Sequence, residues 1–384
     1  MTDAVDTARA WVLANVPKAW RDAAAVGRPI REVRSFSEYE SWYPTFAASG
    51  YVVPTWPQEY GGLDVPVAVA REIEGVLSPY ALGRLNPLGL NLCAPALFAH
   101  GTDEQRLRYL PRIVDNTEKW CQLFSEPGAG SDLASLATRA VHDGDDWVLT
   151  GQKVWTTWAH VSDWAVCLAR TNPDAPKRDG ITYFLVDLHA PGVTVRPLRH
   201  ITGEVDFNEV FLDEVRVPDG QRVGAEGDGW KVANATLAGE RQMVSGAGSG
   251  GVDRIGGAAA DALGSCDDAV LEQRVIALQA EERIRGWTNR RLRGGPLTSI
   301  GKVHQGDLNQ RIQLAAVDLM GARGMAWEGN DLDRTVKGML RSRANTIEGG
   351  TTEVNKNVIA ERVLGLPREP DPYKGAAWKD VPRS

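Results

Sequence analysis

The sequence is poor in cysteine, with four in 384 residues: Cys93, Cys121, Cys167 and Cys266. They form no CxxC pair, and none has a nearby histidine suggesting a zinc site, so a disulfide-stapled scaffold and a zinc-bound module are both disfavoured. The four read as reduced packing residues, and no metal site is expected. Long apolar runs are also missing, since nothing approaches the roughly 18 residues a membrane span requires. The first segment, MTDAVDTARAWVLANVPKAW, carries Asp3 and Asp6 early and has no uninterrupted apolar core, so it does not read as a secretory signal. A cytoplasmic location is the expectation. Positive charge is in deficit, with 43 Lys and Arg against 50 Asp and Glu and a net charge of −7. No overall positive field would draw the chain to nucleic acid or to an anionic membrane.

Hydrophobic residues make up 43% of the chain, enough to fill the cores of two or three compact units. Residues 1–120 read mainly as helices. One start is marked by GTDEQRLRYL, where Thr102 and Gln105 have capping-box spacing. Between Pro54 and Gly62, PTWPQEYGG is a breaker-rich loop. From 121 to 228 the texture shifts to short β-type runs, DWVLTG, WAVCLART, ITYFLVD, VTVRPL and EVFLDEVRVP, separated by Gly, Asp and Pro. Their spacing predicts a compact antiparallel barrel or sandwich. Helical periodicity returns near 230–248, 268–292 and 306–320. The order is therefore α, β, α, with no internal repeat. GGAAADALG at 256–264 reads as a joint or loop.

The densest chemical signal is CQLFSEPGAGSDLASL, residues 121–136. Gly128 and Gly130 permit close backbone approach to a flat or extended ligand, and Ser125 and Ser131 add hydrogen-bonding hydroxyls. Such a loop is also compatible with a plain turn. At 151–164, GQKVWTTWAHVSDW supplies Trp155 and Trp158 beside two threonines. These indoles suit either a β-core or a stacking surface. Near the carboxy end, TIEGGTTEVNKNVIAERVLGLP places Glu348 before two glycines, with Thr351 and Glu353 following.

Taken in order, WPQEYGG, FSEPGAGSD, GQKVWTT, FNEVFLDEVRVP and GGTTEVNKNVIAERVLG resemble the acyl-CoA dehydrogenases, a likeness that runs from about 11 to 367. The resemblance implies an N-terminal α-helical domain (1–120), a central antiparallel β-barrel (121–228) and a C-terminal helical bundle with a tail (229–384). It further implies FAD between the middle domain and the bundle, with a CoA thioester against the flavin. By motif matching, Ser125, Trp155 and Thr157 fall at flavin-ring positions, Thr351 and Glu353 at the adenine or diphosphate half, and Ser131 at the pantetheine arm. Capping of the helix that begins after Thr351 is an alternative role for Thr351 and Glu353, and one compatible with phosphate binding.

The reaction so implied, α,β-dehydrogenation to a trans-2,3-enoyl-CoA, needs a carboxylate within reach of the substrate α-carbon and shielded enough to act as a base. One branch of the family places that base immediately before the Gly-Thr of the C-terminal loop; here Gly349 occupies the place and Glu348 falls one residue early. The other branch places it on the first bundle helix, before an arginine. GWKVANATLAGERQMVSG offers Glu240 followed by Arg241 in that register, on a helix with an apolar side of Val232, Ala235, Leu237 and Met243. Glu240 is thus the expected base and Glu348 the alternative. Arg241 and Gly349 are placed at the substrate, the latter through its backbone N–H.

Two departures bear on assembly. Residues 250–305 lack the Arg-x-x-Phe-Gly segment with which relatives reach a neighbouring subunit's FAD; the nearest basic run is RIRGWTNRRLRGG at 283–295. VDLMGARG at 317–324 carries Asp318 where an amide is common, and a carboxylate near a diphosphate repels it. These features resemble an actinobacterial subgroup acting on bulky, steroid-derived acyl-CoA as α2β2 tetramers. Homodimer, homotetramer and heterotetramer therefore all stay open. The resemblance implies electron-transfer flavoprotein as acceptor. A flavin oxidase or monooxygenase on the same fold, and a structural partner subunit, are the competing readings. The carboxy end, PREPDPYKGAAWKDVPRS, reads as a loosely draped tail.

Overall fold

The computed structural model describes residues 2–244, 268–292, 295–326 and 333–382, with only the backbone considered for 2–3 and 241–244. The patch at 256–264 and Cys266 lie outside the described residues. The N-terminal part carries α1 (Thr2–Asn15), α2 (Lys18–Ala25), α3 (Phe36–Ala47), α4 (Val67–Leu77), α5 (Ala94–His100) and α6 (Asp103–Val114). Local chemistry sets these boundaries. Ser35 and Glu38 form a capping box at α3. Thr102 and Gln105 form the expected one at α6, satisfying two otherwise unpaired N–H groups. Gln105 does more than cap, since its Nε2 also donates to the carbonyls of Gly220 and Arg222 at 2.9 Å, tying α6 to the end of the β region. In the PTWPQEYGG loop, a Cβ on Gly62 would stand 2.1 Å from the Trp56 carbonyl oxygen, so only glycine fits there.

The strands are β1 (Trp120–Leu123), β2 (Arg139–Asp143), β3 (Asp146–Thr157), β4 (Trp164–Arg170), β5 (Ile181–Asp187), β6 (Val193–Leu198), β7 (Phe207–Pro218) and β8 (Arg222–Val223). All five anticipated β-type runs are strands. Their closure is not as anticipated. The order is β6-β7-β3-β2-β4-β5-β8 with β1 on β4, an open mixed sheet and not a closed antiparallel barrel. The reason lies in the pairing at β4, where β1 runs parallel over four residues and β2 meets it, also parallel, only at Arg139 and Arg170. β6 and β8 each pair on one side only.

Side-chain alternation along β4 and β5 feeds two cores. Val166, Leu168, Tyr183 and Leu185 pack toward the N-terminal helices, while Cys167, Ala169, Phe184 and Val186 pack on the opposite face. Burial on both faces explains the near-continuous apolar runs of these strands. Cys93, Cys121 and Cys167 are free and buried, and burial pushes the Cys167 thiol up to about 11.

The C-terminal part contains α7 (Gly229–Val244), α8 (Ala269–Arg291), α9 (Thr298–Met320), α10 (Arg334–Ser342) and α11 (Thr352–Val358). A small core of Val275, Leu278, Leu308, Ile312 and Ala315 joins α8 to α9. No described helix is long and apolar enough to cross a membrane. The carboxy tail is not loosely draped over its whole length. Residues 364–375 are exposed, but Trp378 and Val381 are buried, and Ala377 makes a bridge to Pro176 beside the sheet.

Gln105→Ala removes one half of the α6 cap and both bonds to the β region. The expected loss is about 2 kcal/mol, measured as a lower urea midpoint at constant slope. An unchanged midpoint would show that the junction does not contribute.

Candidate active site

Two sequence motifs meet at a buried ion pair. Glu126 follows β1 in the FSEPGAGSD loop, and Lys153 points inward from β3; their charged atoms lie 2.8 Å apart, with Lys153 fully buried. Lys153 also donates to the carbonyls of Phe124 and Leu168, and Glu126 accepts the backbone N–H groups of Ala137 and Thr138. Both charges are therefore fully hydrogen-bonded, the condition under which a buried pair is tolerated. Burial pushes the Glu126 carboxyl up. The Lys153 charge and the convergent donors outweigh this and leave it below its ordinary value. The loop is further stitched to β3 by the Val154 N–H on the Ser125 carbonyl at 2.9 Å. Neither Glu126 nor Lys153 was among the anticipated site residues. The available signal was a lysine at an inward position of an alternating strand, which demands a buried anion.

Beyond Lys153 the strand breaks step. Register shifts between Lys153↔Val210 and Thr156↔Asn208, and Trp155 takes φ +59. Alternation would send Trp155 inward with Trp147, Leu149 and Lys153, but the extra residue turns it out, 60% exposed, and Thr156 is buried in its place. Trp158 has φ +56 and is 41% exposed. Both indoles are thus presented at the surface instead of filling the β-core. A left-handed tryptophan costs on the order of 1–2 kcal/mol, and such strain concentrates at functional surfaces. Thr157, opposite Phe207, is half-buried, as is Ser125; Ser131 is exposed. Cβ atoms placed on Gly128 and Gly130 would meet nothing within 4 Å, and the buried Thr156 hydroxyl has no partner. Exposed indoles and an open glycine loop together suit a flat aromatic ligand.

The C-terminal loop approaches the same surface. Phe207 holds the Trp155 ring edge-on at 5.9 Å and lies under the Arg341 guanidinium at 5.4 Å. Glu348 is committed locally, with one oxygen on Arg341 at 2.7 Å and the other accepting from Asn345 at 2.6 Å. Gly349 and Gly350 follow with φ +65 and +85, two consecutive left-handed residues that explain the glycine pair. Thr351 caps α11 by accepting from the Val354 N–H, and Glu353 is exposed in its first turn.

Glu240 sits on the buried stripe of α7. Thr236 and Val232 are fully buried one and two turns before it, and Glu240 itself is half-buried. Its Oε2 accepts from Nε2 of Gln122 on β1 at 3.4 Å, so the carboxylate faces the seam between sheet and bundle. The side chain of Arg241 lies outside the described residues. Close packing sets this placement, because a Cβ on Gly239 would stand 1.9 Å from the Asn91 carbonyl oxygen.

Lys302 of α9, 1% exposed, links the two acids: its Nζ donates to the Asn345 carbonyl at 2.6 Å. Burial lowers the affinity of Lys302 for its proton, opposed by the charges of Glu348 and Glu240. Lys302 thus lies near both Glu240 and Glu348, while Arg341 and Phe207 connect Glu348 to Trp155. Gln122, Lys302 and Arg341 were not anticipated there. Elsewhere, Asp318 is paired with Arg274 at 2.6 Å, which offsets the repulsion anticipated for it, and within the basic run Arg285 is buried against Glu282. His200, Glu204 and Asp206 bring their ligand atoms within 4.8 Å of one another. Thr202 bonds to His200 and Glu204, and Lys337 approaches Glu204 at 3.8 Å.

Comparison with known proteins gives three domain matches in chain order. The acyl-CoA dehydrogenase N-terminal domain matches residues 3–117, the middle domain 121–215 and the C-terminal domain 227–364. The chain is similar to acyl-CoA dehydrogenase IpdE1 of Mycobacterium tuberculosis, 40% identical and covering 94% of this chain and 96% of that protein. Among solved structures, the ChsE4-ChsE5 complex from Mycobacterium tuberculosis aligns with TM-score 0.72 at 26% identity, over 96% of this chain and 98% of that one. The Tcur3481-Tcur3483 steroid ACAD aligns with TM-score 0.75 at 26% identity, over the same shares.

Because the folded Glu126 carboxyl lies below its unfolded value, its stabilisation is complete above the unfolded pKa of about 4.3 and declines as pH falls below that. Glu126→Gln is expected to lose about 3–5 kcal/mol near neutrality by leaving Lys153 without its anion. In urea titrations from pH 7 to pH 3 that difference should shrink toward the acid end; a constant difference would refute the assignment.

Proposed function

The chain belongs to the acyl-CoA dehydrogenase family, and from that premise we propose that it oxidises the α,β-bond of an acyl-CoA thioester to a trans-2,3-enoyl-CoA. It is an oxidoreductase; substrate, base and cofactor identity are our reading. FAD is the proposed cofactor, and when bound it accepts the hydride equivalent from the substrate β-carbon. The surface fits such a group: outward Trp155 and the open Gly128–Gly130 loop are what a flavin ring would cover. Ser125, Trp155 and Thr157 would hold the ring end, with Thr351 and Glu353 toward the diphosphate and adenine.

Glu240 is the proposed base. The observation that carries this is the placement of Glu240, on a buried helix stripe of α7 at the sheet–bundle seam with Gln122 of β1 as a partner. In this reading Glu240 takes the α-proton. Gln122 holds one carboxylate oxygen of Glu240 at 3.4 Å. The Gly349 N–H polarises the thioester carbonyl, Arg241 lies next to the base, and Ser131 contacts the pantetheine arm.

Assembly and substrate follow the same way. The two aligned structures are the ChsE4-ChsE5 complex and a steroid ACAD, which supports a heteromeric arrangement, here proposed as α2β2, and a bulky acyl group for this chain. Exposed Ile347, Leu364 and Trp287 supply apolar surface for a subunit contact. Electron-transfer flavoprotein is the proposed acceptor and the cytoplasm the proposed location. The division of labour follows segments 1–120, 121–228 and 229–384.

Flavin-loaded protein, alone and with a co-expressed partner, is to be mixed anaerobically with a panel of acyl-CoA thioesters while flavin bleaching is followed. Glu240→Gln should slow bleaching by about 10²–10⁴-fold. Glu348→Gln should keep the rate within about tenfold while lowering thermal stability by about 1–3 kcal/mol. The reverse pattern would move the base to the C-terminal loop, and a protein that binds no flavin would be a structural subunit.

A further inference from the structure

The carboxy-terminal tail contains an element that the dehydrogenation reading does not use. Trp378 is buried, and its backbone N–H donates to the Ala175 carbonyl at 2.8 Å. The Lys379 N–H donates to the Pro173 carbonyl at 3.1 Å, and its ammonium meets Asp174 at 2.5 Å. Residues on both sides of the indole are therefore fixed to the β4–β5 connection. The indole N–H reaches the Ser135 carbonyl at 3.4 Å. Its ring also receives the Arg170 guanidinium 4.2 Å from the centroid.

Arg170 carries this contact into the ligand loop. It is buried at the end of β4 and donates to Ala134, Leu136 and Lys177 carbonyls at 2.7, 3.0 and 3.0 Å. Its planar fork thus ties the Ala134–Leu136 turn to the connection on which the tail rests. One step upstream, Asp132 accepts from Ser135 Oγ and pairs with Lys177 at 2.6 Å. Ser131 lies directly before these anchors, exposed at the rim of the open glycine loop. Trp378 thus meets the turn that follows Ser131, at a Ser135 carbonyl 243 positions away in sequence.

We propose that Trp378 is a positioning residue for coenzyme A: the tail acts as a strap that locks the Ser131–Leu136 turn in the shape that receives the pantetheine arm. The inference rests on the reading that Ser131 contacts that arm. The contacts of the strap fall on the β4–β5 connection and the turn after Ser131, so it governs thioester affinity and leaves the chemical step alone.

The test uses the holoprotein, with free coenzyme A as equilibrium probe and, as kinetic probe, an acyl-CoA that bleaches the wild type. Trp378→Ala should weaken coenzyme A binding by about tenfold and raise KM similarly, with kcat within about twofold and flavin content unchanged. Trp378→Phe keeps a ring over Arg170 and should recover most of the affinity. Amide exchange across 129–137 should accelerate in the alanine variant and recover in the phenylalanine one. If Trp378→Ala binds coenzyme A like the wild type, or loses kcat and KM together without rescue, the strap proposal is overturned while the dehydrogenase reading stands. If the wild type itself binds no coenzyme A, the underlying reading fails and the strap proposal with it. Should Trp378→Ala not fold, Lys379→Ala replaces it; unchanged coenzyme A affinity alongside faster exchange at 376–381 then overturns the proposal.

Discussion

A lysine ammonium and a glutamate carboxylate, Lys153 and Glu126, meet inside the sheet, and the two segments richest in site residues hang from that contact. Neither charge is tolerable there alone, because an isolated ion in a low-dielectric interior loses far more hydration than one hydrogen bond returns. The fold answers with three acceptors around the ammonium and three donors around the carboxylate. Fixing Lys153 at that depth fixes where β3 must leave its regular pleat. The bulge that follows is what turns Trp155 to the surface. The position of a surface aromatic is thereby dictated by a buried charge two residues earlier.

A second buried ammonium organises the other side of the site. Lys302 holds the Asn345 carbonyl, Asn345 holds Glu348, and Glu348 holds Arg341, whose guanidinium lies over the Phe207 ring. This chain of contacts ends at the ring that supports Trp155. Glu348, next to the glycine pair and conspicuous in the sequence, is therefore engaged through both oxygens within its own loop. The acid that faces the seam comes from α7, where Gly239 lets the helix approach Asn91 closely enough to carry Glu240 to Gln122.

Much of this was legible beforehand, for identifiable reasons. Short β-type runs separated by Gly, Asp and Pro marked β3 to β7, and the Thr102 and Gln105 spacing marked the start of α6. Other features were not legible. Trp378 stands alone in a proline-rich tail with no apolar periodicity around it, so nothing local distinguishes it from an exposed residue. Asp318 looked repulsive because its partner, Arg274, lies 44 positions away on another helix. Sheet closure depends on whether β1 and β2 run parallel or antiparallel to β4, and strand composition is silent on that choice.

By itself the sequence determined which segments become helix or strand, where caps and left-handed turns must fall, and which family of motifs the chain carries. Those properties follow from residues within a few positions of one another, through steric preference, hydrogen bonding and alternation. Tertiary structure alone decided the open edge of the sheet, the outward turn of Trp155, the engagement of Glu348 and the seating of Trp378. Each of these depends on a partner brought in from distant sequence, and whether a charge or an aromatic ring is buried, paired or presented is a property of that meeting.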